Sequence, residues 1–194
     1  MINYEIAKKN LESGNAKDFT FFALNGYLLE YGYSLILMGQ LEKAKEVLSQ
    51  VDSLRSKWAI SFIPFMAGHV EKMPSYFQIR NFFEIDVNLL LKSNQIDFVS
   101  YILGGADILY SINSEVYKYI ARVMMNNRYW DISKTYLDKG QELTENDPEL
   151  FFMLCQYYIS LSEFAKALYS IENCLRILPE YYPAIKIKEA LLNQ

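Results

Sequence analysis

The stretch SEFAKALYSIENCLRILP, residues 162–179, predicts one amphipathic helix that is closed by a proline. Its small residues, Ala165, Ala167 and Cys174, lie among larger apolar side chains. Small residues on an apolar face let a second helix approach closely, because little side-chain volume separates the two backbones. The stretch therefore predicts a close helix–helix contact.

The pattern repeats along the chain with a period of about 34 residues. Two steps of this length place Ser133 and then Val99 at the position that Ala167 holds. A fixed period of this size indicates a solenoid, in which each unit packs on its neighbours. Three consecutive blocks share the period without an insertion: 80–113, 114–147 and 148–181.

Each block contains two helical patterns. In the last block, PELFFMLCQYYIS (148–160) has apolar residues at helical spacing, and a second helix runs from about Phe164 to Leu178. Asp147 is a suitable N-cap, and Pro148 suits the first turn, where its missing N–H is not needed. Each block is therefore predicted to form a helix hairpin.

The sequence resembles the tetratricopeptide repeat (TPR) family. The family's pattern of aromatic, small, alanine and proline positions is present in the last block as Phe151, Leu154-Cys155, Tyr158, Ala167, Ile171 and Pro179. A further copy, about 25–58, carries Leu28, Tyr31-Gly32, Leu35, Gly39, Ala44 and Leu48 at matching spacings.

This resemblance implies an all-α fold, a TPR-like right-handed α-α superhelix (solenoid) of about eleven helices with a C-terminal capping helix. We expect one solenoid domain over residues 1–194. The capping helix, 182–192, is expected to cover the face of helix 164–178 with Ile185, Ile187, Leu191 and Leu192.

The N-terminal half departs from the regular pattern. Extra helices are predicted at about 2–13 and 56–70, followed by long helices at 18–38 and 74–93. Asp86 occupies a position that is apolar or aromatic in the other copies, so a buried Asp86 must pair or be protonated. One interpretation is a functional acid that lines a pocket between the extra helix and the repeat. The alternative is a salt link to a neighbouring helix, with Arg80, Lys72 or His69 as partner.

Composition and charge argue against several classes of protein. The net charge of −4 gives no electrostatic footprint for nucleic acid, and 52% apolar residues argue against disorder. The apolar segments 19–38 and 58–70 are better explained as buried helices than as membrane spans, because the first contains Asn25 and Glu30 and the second is shorter than the roughly 20 residues required. With two cysteines and no signal-peptide pattern, we expect a cytoplasmic protein without membrane association.

No catalytic, cofactor or metal site is predicted, and we expect that the protein is not an enzyme. His69 is the only histidine, and no nucleophile motif or phosphate-binding loop is present. Cys155 and Cys174 occupy small-residue positions, which favours core packing over redox or metal chemistry.

The resemblance implies a binding module or adaptor that holds a peptide or protein segment on the concave face of the superhelix. Charged residues at inward positions favour a partner that carries acidic residues. The alternative for the same residues is an ordinary solvated helix surface. The residues expected to point inward are Asn88, Lys92, Lys118, Arg122, Phe152, Gln156 and Lys186.

A second hypothesis is a structural subunit or homodimer. In this interpretation the aromatic-rich N-terminal half forms a permanent interface with a second copy or with a membrane-bound assembly. Core packing is the competing explanation for its aromatic residues, which are Phe19, Phe21, Phe22, Trp58, Phe62, Phe65, Phe77, Phe82 and Phe83.

Overall fold

The computed structural model describes residues 2–69 and 74–193, and these ranges contain helices and turns without a β-strand. The all-α prediction is confirmed. Contacts divide the chain into two compact units, Met1–Val116 and Tyr117–Gln194. The expectation of a single solenoid domain stays a prediction.

The helices are mostly short and follow one another closely. In the first unit they are α1 (Tyr4–Glu12), α2 (Phe19–Leu24), α3 (Leu28–Leu37), α4 (Leu41–Ser49), α5 (Leu54–Met66), α6 (Tyr76–Asn81), a π-helical segment (Phe82–Val87), α7 (Asn88–Lys92), α8 (Ile96–Gly104) and α9 (Ala106–Tyr110). The remaining helices are α10 (Val116–Asn126), α11 (Trp130–Leu143), α12 (Pro148–Ser160), α13 (Phe164–Ile177) and α14 (Tyr182–Leu192).

Two of the predicted long helices are subdivided, and a further break falls at Gly105, so the described residues contain more helical segments than expected. The helix predicted at 18–38 is interrupted near Gly26, whose φ of +72° cannot continue a right-handed helix. Gly105 separates α8 from α9. The long helix predicted at 74–93 is continuous from 76 to 92, but its middle third is the π-helical segment.

The extra helices and the capping helix form where the sequence places them. The helix predicted at 2–13 is α1, and the one predicted at 182–192 is α14. The helix predicted at 56–70 is α5, which ends at Met66; residue 70 lies outside the described residues.

The turn inside each hairpin recurs with the period of the sequence. Asn94, Arg128 and Ser162 have left-handed φ values of 61°, 65° and 60°, and each lies one period after the one before it. Gly39 takes the same conformation in the earlier copy. Two hydrogen bonds of the Schellman C-cap close each turn. One of the two spans six residues and has an N···O distance of 2.9 Å in every copy. Its donor N–H and acceptor C=O belong to the pairs Gln40 and Leu35, Gln95 and Leu90, Tyr129 and Met124, and Glu163 and Tyr158.

We expect Ser162→Gly to raise the free energy of unfolding by about 0.5–1 kcal/mol, because glycine adopts the left-handed region without the penalty of a Cβ. The matched control is Ser160→Gly at the end of α12, which should lower the same free energy by about 0.5 kcal/mol because glycine is a poor helix former. Urea denaturation measures both values. A shift of the same sign in both variants would contradict the strain assigned to the turn.

Small residues bring helices of the first unit close together. A Cβ on Gly32 of α3 would lie 2.5 Å from the Leu48 side chain of α4, so these helices approach at the position that the repeat pattern predicts. A Cβ on Gly105 would lie 3.3 Å from the ring of Phe65 on α5. Gly105 therefore serves close packing, and it also follows the end of α8.

Core packing accounts for most of the aromatic residues of the N-terminal half. Phe62 of α5 stacks on Phe82 of the π-helical segment with ring centroids 3.4 Å apart. Phe77 is the exception, with an exposed fraction of 79%. Phe19, Phe21 and Trp58 are half-buried, and the buried members are Phe22, Phe62, Phe65, Phe82 and Phe83.

In the second unit, α12, α13 and α14 pack around a core in which four small side chains surround Ile171: Cys155, Ala167, Cys174 and Ala184. Both cysteines are free and buried, which confirms their interpretation as packing residues. Ile187 and Leu191 of α14 cover this core. Leu192 is not packed against this core and is 61% exposed.

Candidate functional site

The first unit contains a cavity of about 480 Å³ between α1, α3, α5 and the π–α7 helix. This volume lies in the range of sites that bind small ligands or side chains. Its lining combines apolar and charged residues: Lys8, Leu11, Glu12, Leu29, Glu30, Tyr33, Arg55, Glu84, Ile85, Asn88 and Leu89.

Two walls of the cavity are equivalent faces of two hairpins. The turn residues Gly39 and Asn94 occupy the same place in these hairpins and therefore align one with the other. In this alignment, Leu29 and Tyr33 of α3 correspond to Glu84 and Asn88. The cavity is therefore walled by the same face of the first helix in two copies.

An ion pair joins the cavity wall to a buried carboxylate: Arg55 lines the cavity, and its partner Asp86 is buried. Arg55, in the first turn of α5, reaches Asp86 of the π-helical segment with its Nη2 at 2.7 Å from Oδ1. The Nε of Arg55 donates to the hydroxyl of Tyr33 at 2.8 Å, and the guanidinium lies 4.7 Å from the centre of that ring. Three elements are thus joined at one point.

The partner of Asp86 differs from the predicted ones. Asp86 is buried and pairs, as the salt-link interpretation required, but its partner is Arg55. Arg80 instead bonds Glu84 at 3.2 Å on its own helix, and His69 is exposed. Lys72 lies outside the described residues. Asp86 is not among the residues that line the cavity.

Burial is the main influence on the ionisation of the Asp86 carboxyl group. Burial raises the pKa of Asp86 to about 6, although the Arg55 charge and a hydrogen bond with Tyr33 oppose the shift. Burial and the Asp86 charge also raise the pKa of Tyr33 well above its usual value.

We expect the contribution of Asp86 to stability to fall as the pH rises from about 4 to 7. The pKa is about 6 in the folded state and 3.8 in its ordinary surroundings, so the folded chain binds more protons between these values. This contribution is fully present below the unfolded pKa and is lost as pH rises through the folded pKa. Urea denaturation across this pH range, with Asp86→Asn beside the parent chain, measures the difference. A difference that does not change with pH would contradict the pKa of Asp86.

The remaining charged residues of the cavity are more exposed than Leu11 and Leu89, the buried leucines of its lining. Glu12 is exposed, and Glu30 and Glu84 are half-buried. The hydroxyl of Tyr4 donates to Glu30 at 2.7 Å, and this bond, with burial, raises the pKa of Tyr4 to about 12. Lys8 is half-buried and lies 5.6 Å from the centre of the Tyr4 ring.

Of the residues predicted to bind a partner, the first unit contains two. Asn88 lines the cavity, whereas Lys92, one turn further on, is exposed and is not part of the lining. The position one period before Lys118 is held by Glu84, so the predicted register in this block is displaced by one turn. In the 34-residue register, Glu84 takes the position assigned to Asn88, and Asn88 takes the position assigned to Lys92.

The second unit contains the other five predicted residues, and two of them are held by carboxylates. Lys118 is buried and donates to Asp147 at 2.7 Å and to Glu149 at 2.9 Å, while Arg122 bonds Glu149 from the same helix. Burial raises the pKa of Glu149, but the bonds and charges of Lys118 and Arg122 outweigh burial and lower the pKa overall. The two cations that favoured an acidic partner are therefore already paired with carboxylates of the chain itself.

The last three predicted residues are spread over α12 and α14. Phe152 is half-buried and packs edge-on against Tyr181, with ring centroids 5.1 Å apart. Gln156 is exposed, and Lys186 is exposed above the ring of Tyr182 at 4.6 Å. Phe152 thus belongs to the margin of the core in this unit.

Sequence reasoning missed most of the cavity. Tyr33 and Glu30 carry the equivalent face in the earlier copy, so extending the repeat register to 25–58 would have found them. Lys8, Glu12 and Arg55 lie on extra helices that have no counterpart in the repeat, and no periodic signal marks them. Asp86 marked the right region because it breaks the apolar pattern there.

Within residues 2–69 and 74–193, no group of three or more His, Cys, Asp or Glu side chains is arranged to hold a metal ion. None of the helices in these ranges combines the length and the apolar character needed to cross a bilayer. The chain matches no family model, no curated protein and no solved structure.

Proposed function

We propose that the chain is a TPR-like solenoid, a cytoplasmic adaptor without enzymatic activity, that binds a segment of another protein in the cavity of the first unit. The recurrent turn at Gly39, Asn94, Arg128 and Ser162 supports the solenoid, because repeated hairpins with one turn geometry stack in this way. The TPR resemblance suggests that the first helices of the hairpins face the partner.

One observation carries the proposal. The cavity is walled by equivalent faces of two first helices, Leu29 and Tyr33 on one and Glu84 and Asn88 on the other. A cavity of about 480 Å³ with mixed lining accepts a side chain or two from a bound segment, which is the usual way that a helical repeat holds an extended partner.

Fewer observations support the alternative, in which the aromatic residues of the N-terminal half form a permanent interface. Five of its nine aromatic residues are buried in the first unit. Of these nine residues, Phe77 on α6 is the one that is largely exposed. Its ring lies 5.5 Å from that of its neighbour Tyr76, measured between centroids. Light scattering on the purified chain tests the homodimer form of this alternative, since a permanent interface with a second copy requires a dimer at low concentration.

The test of the proposal is a selection of displayed random peptides on the full chain, followed by affinity measurements on the enriched sequences. Leu29→Trp fills the cavity without changing its charge, and we expect it to weaken these peptides by at least about tenfold. Leu24→Trp is the matched control, because Leu24 is 87% exposed on α2 and is not part of the lining.

Both variants must melt cooperatively near the temperature of the parent chain for the comparison to count. Enriched peptides that bind Leu29→Trp and the parent chain equally would place binding outside the cavity and overturn the proposal. A selection that enriches no sequence would overturn it as well.

A further inference from the structure

We infer that the segment bound in this cavity presents an apolar anchor residue with a lysine or arginine beside it. This inference rests on the proposed function and adds the chemistry of the partner. It follows from two properties of the lining, a buried apolar floor and a more exposed acidic rim.

The floor of the cavity consists of Leu11, Tyr33 and Leu89, whose exposed fractions are 5%, 5% and 9%. These side chains come from three elements, α1, α3 and α7. An apolar side chain that enters the cavity above this floor removes its own surface from water, which favours binding in proportion to the buried area. A charged side chain at this depth would lose its hydration without a matching partner.

The rim consists of Glu12, Glu30 and Glu84, which are more exposed than the floor. Two cations also line the cavity, Lys8 and Arg55. The charge of Asp86 offsets the charge of Arg55 in their 2.7 Å ion pair. Lys8 is then the cation that lies near the acidic rim inside the cavity. Outside the cavity, the exposed Arg80 bonds Glu84. The field at the rim therefore favours a cation.

An acidic segment fits this cavity poorly. A carboxylate of the segment would compete with Asp86 for the charge of Arg55 and would be repelled by the carboxylates of the rim. A basic residue of the segment meets the rim carboxylates without disturbing that pair. Charge complementarity of this kind sets specificity and association rate more than affinity.

The experiment uses the peptides enriched on the full chain. Their sequences should share an apolar residue with a lysine or arginine close to it. For one such synthetic peptide, replacing the basic residue by glutamine should weaken binding by about tenfold, and replacing it by glutamate should weaken it further. Higher salt should weaken the parent peptide and leave the glutamine version nearly unchanged.

Variants of the chain test which carboxylates bind the basic residue of the peptide. Glu12→Gln with Glu30→Gln should weaken the basic peptide by about five- to tenfold, and glutamine still accepts the Tyr4 hydrogen bond. Glu46→Gln on α4, exposed and outside the cavity, is the matched control and should change nothing. Lys8→Gln should act in the opposite direction and strengthen binding.

The two proposals fail in different ways. Suppose that the peptides bind Leu29→Trp more weakly but carry no basic residue, or bind the Glu12→Gln, Glu30→Gln variant as tightly as the parent chain. Either result would overturn the inference while still placing binding in the cavity. Peptides that ignore Leu29→Trp would overturn both.

Discussion

Arg55→Met is expected to lower the free energy of unfolding at neutral pH by about 3–5 kcal/mol, the usual cost of removing one partner of a buried ion pair. Methionine keeps much of the apolar stem of Arg55 but leaves the buried Asp86 without a cation. The hydroxyl of Tyr33 also loses the donor that now lies at 2.8 Å. Chemical denaturation with circular dichroism measures the loss.

The pH and a second substitution separate this mechanism from simple loss of packing. Near pH 4 Asp86 is protonated in the folded chain, so the penalty of Arg55→Met should shrink there. Adding Asp86→Leu should recover most of the stability, because no buried charge remains. Arg80→Met is the control: its pair with Glu84 is solvent-exposed and should contribute less than about 0.5 kcal/mol. A penalty that is the same at both pH values would contradict the role given to the ion pair.

The hairpins could be predicted from the sequence because their determinants are local. Gly32 and Cys155 are small where a second helix approaches, and each hairpin meets the same requirement again one period later. The turn at Ser162 has the hydrogen bonds of the turn at Asn94 because the sequences around both turns satisfy one backbone geometry. Local requirements of this kind leave a periodic signal.

The cavity depends on contacts that leave no such signal. The partner of Asp86 is 31 residues away on α5, a helix outside the repeat, and cations nearer along the chain were equally reasonable partners by spacing alone. The π-helical segment adds one residue to a turn and so changes which side chains face inward after Phe82. The pairing of Lys118 with Asp147 and Glu149 spans 29 and 31 residues and was hidden for the same reason. Long-range pairs of this kind require the folded structure.

Gly14→Ala is expected to lower the free energy of unfolding by about 2–5 kcal/mol, because two effects combine. Gly14 has a φ of +85°, which costs a residue with a Cβ about 1–2 kcal/mol. That Cβ would also lie 2.6 Å from the carbonyl carbon of Lys92 and 2.7 Å from the nitrogen of Ser93, and overpacking against backbone adds about 1–3 kcal/mol. Backbone atoms cannot rotate away, so α1 and the end of α7 must separate.

The matched control is Gly26→Ala, which isolates the conformational effect. Gly26 has a similar φ of +72°, but a Cβ there meets nothing within 4 Å, so only about 1–2 kcal/mol should be lost. Because α1 supplies Lys8, Leu11 and Glu12 to the cavity, its displacement in Gly14→Ala should also weaken the selected peptides, whereas Gly26→Ala should leave their affinity unchanged. Hydrogen exchange should show faster opening of α1 in Gly14→Ala alone. Equal losses of stability and affinity in the two variants would mean that the loop after α1 does not hold the cavity together, and that φ strain is the whole effect.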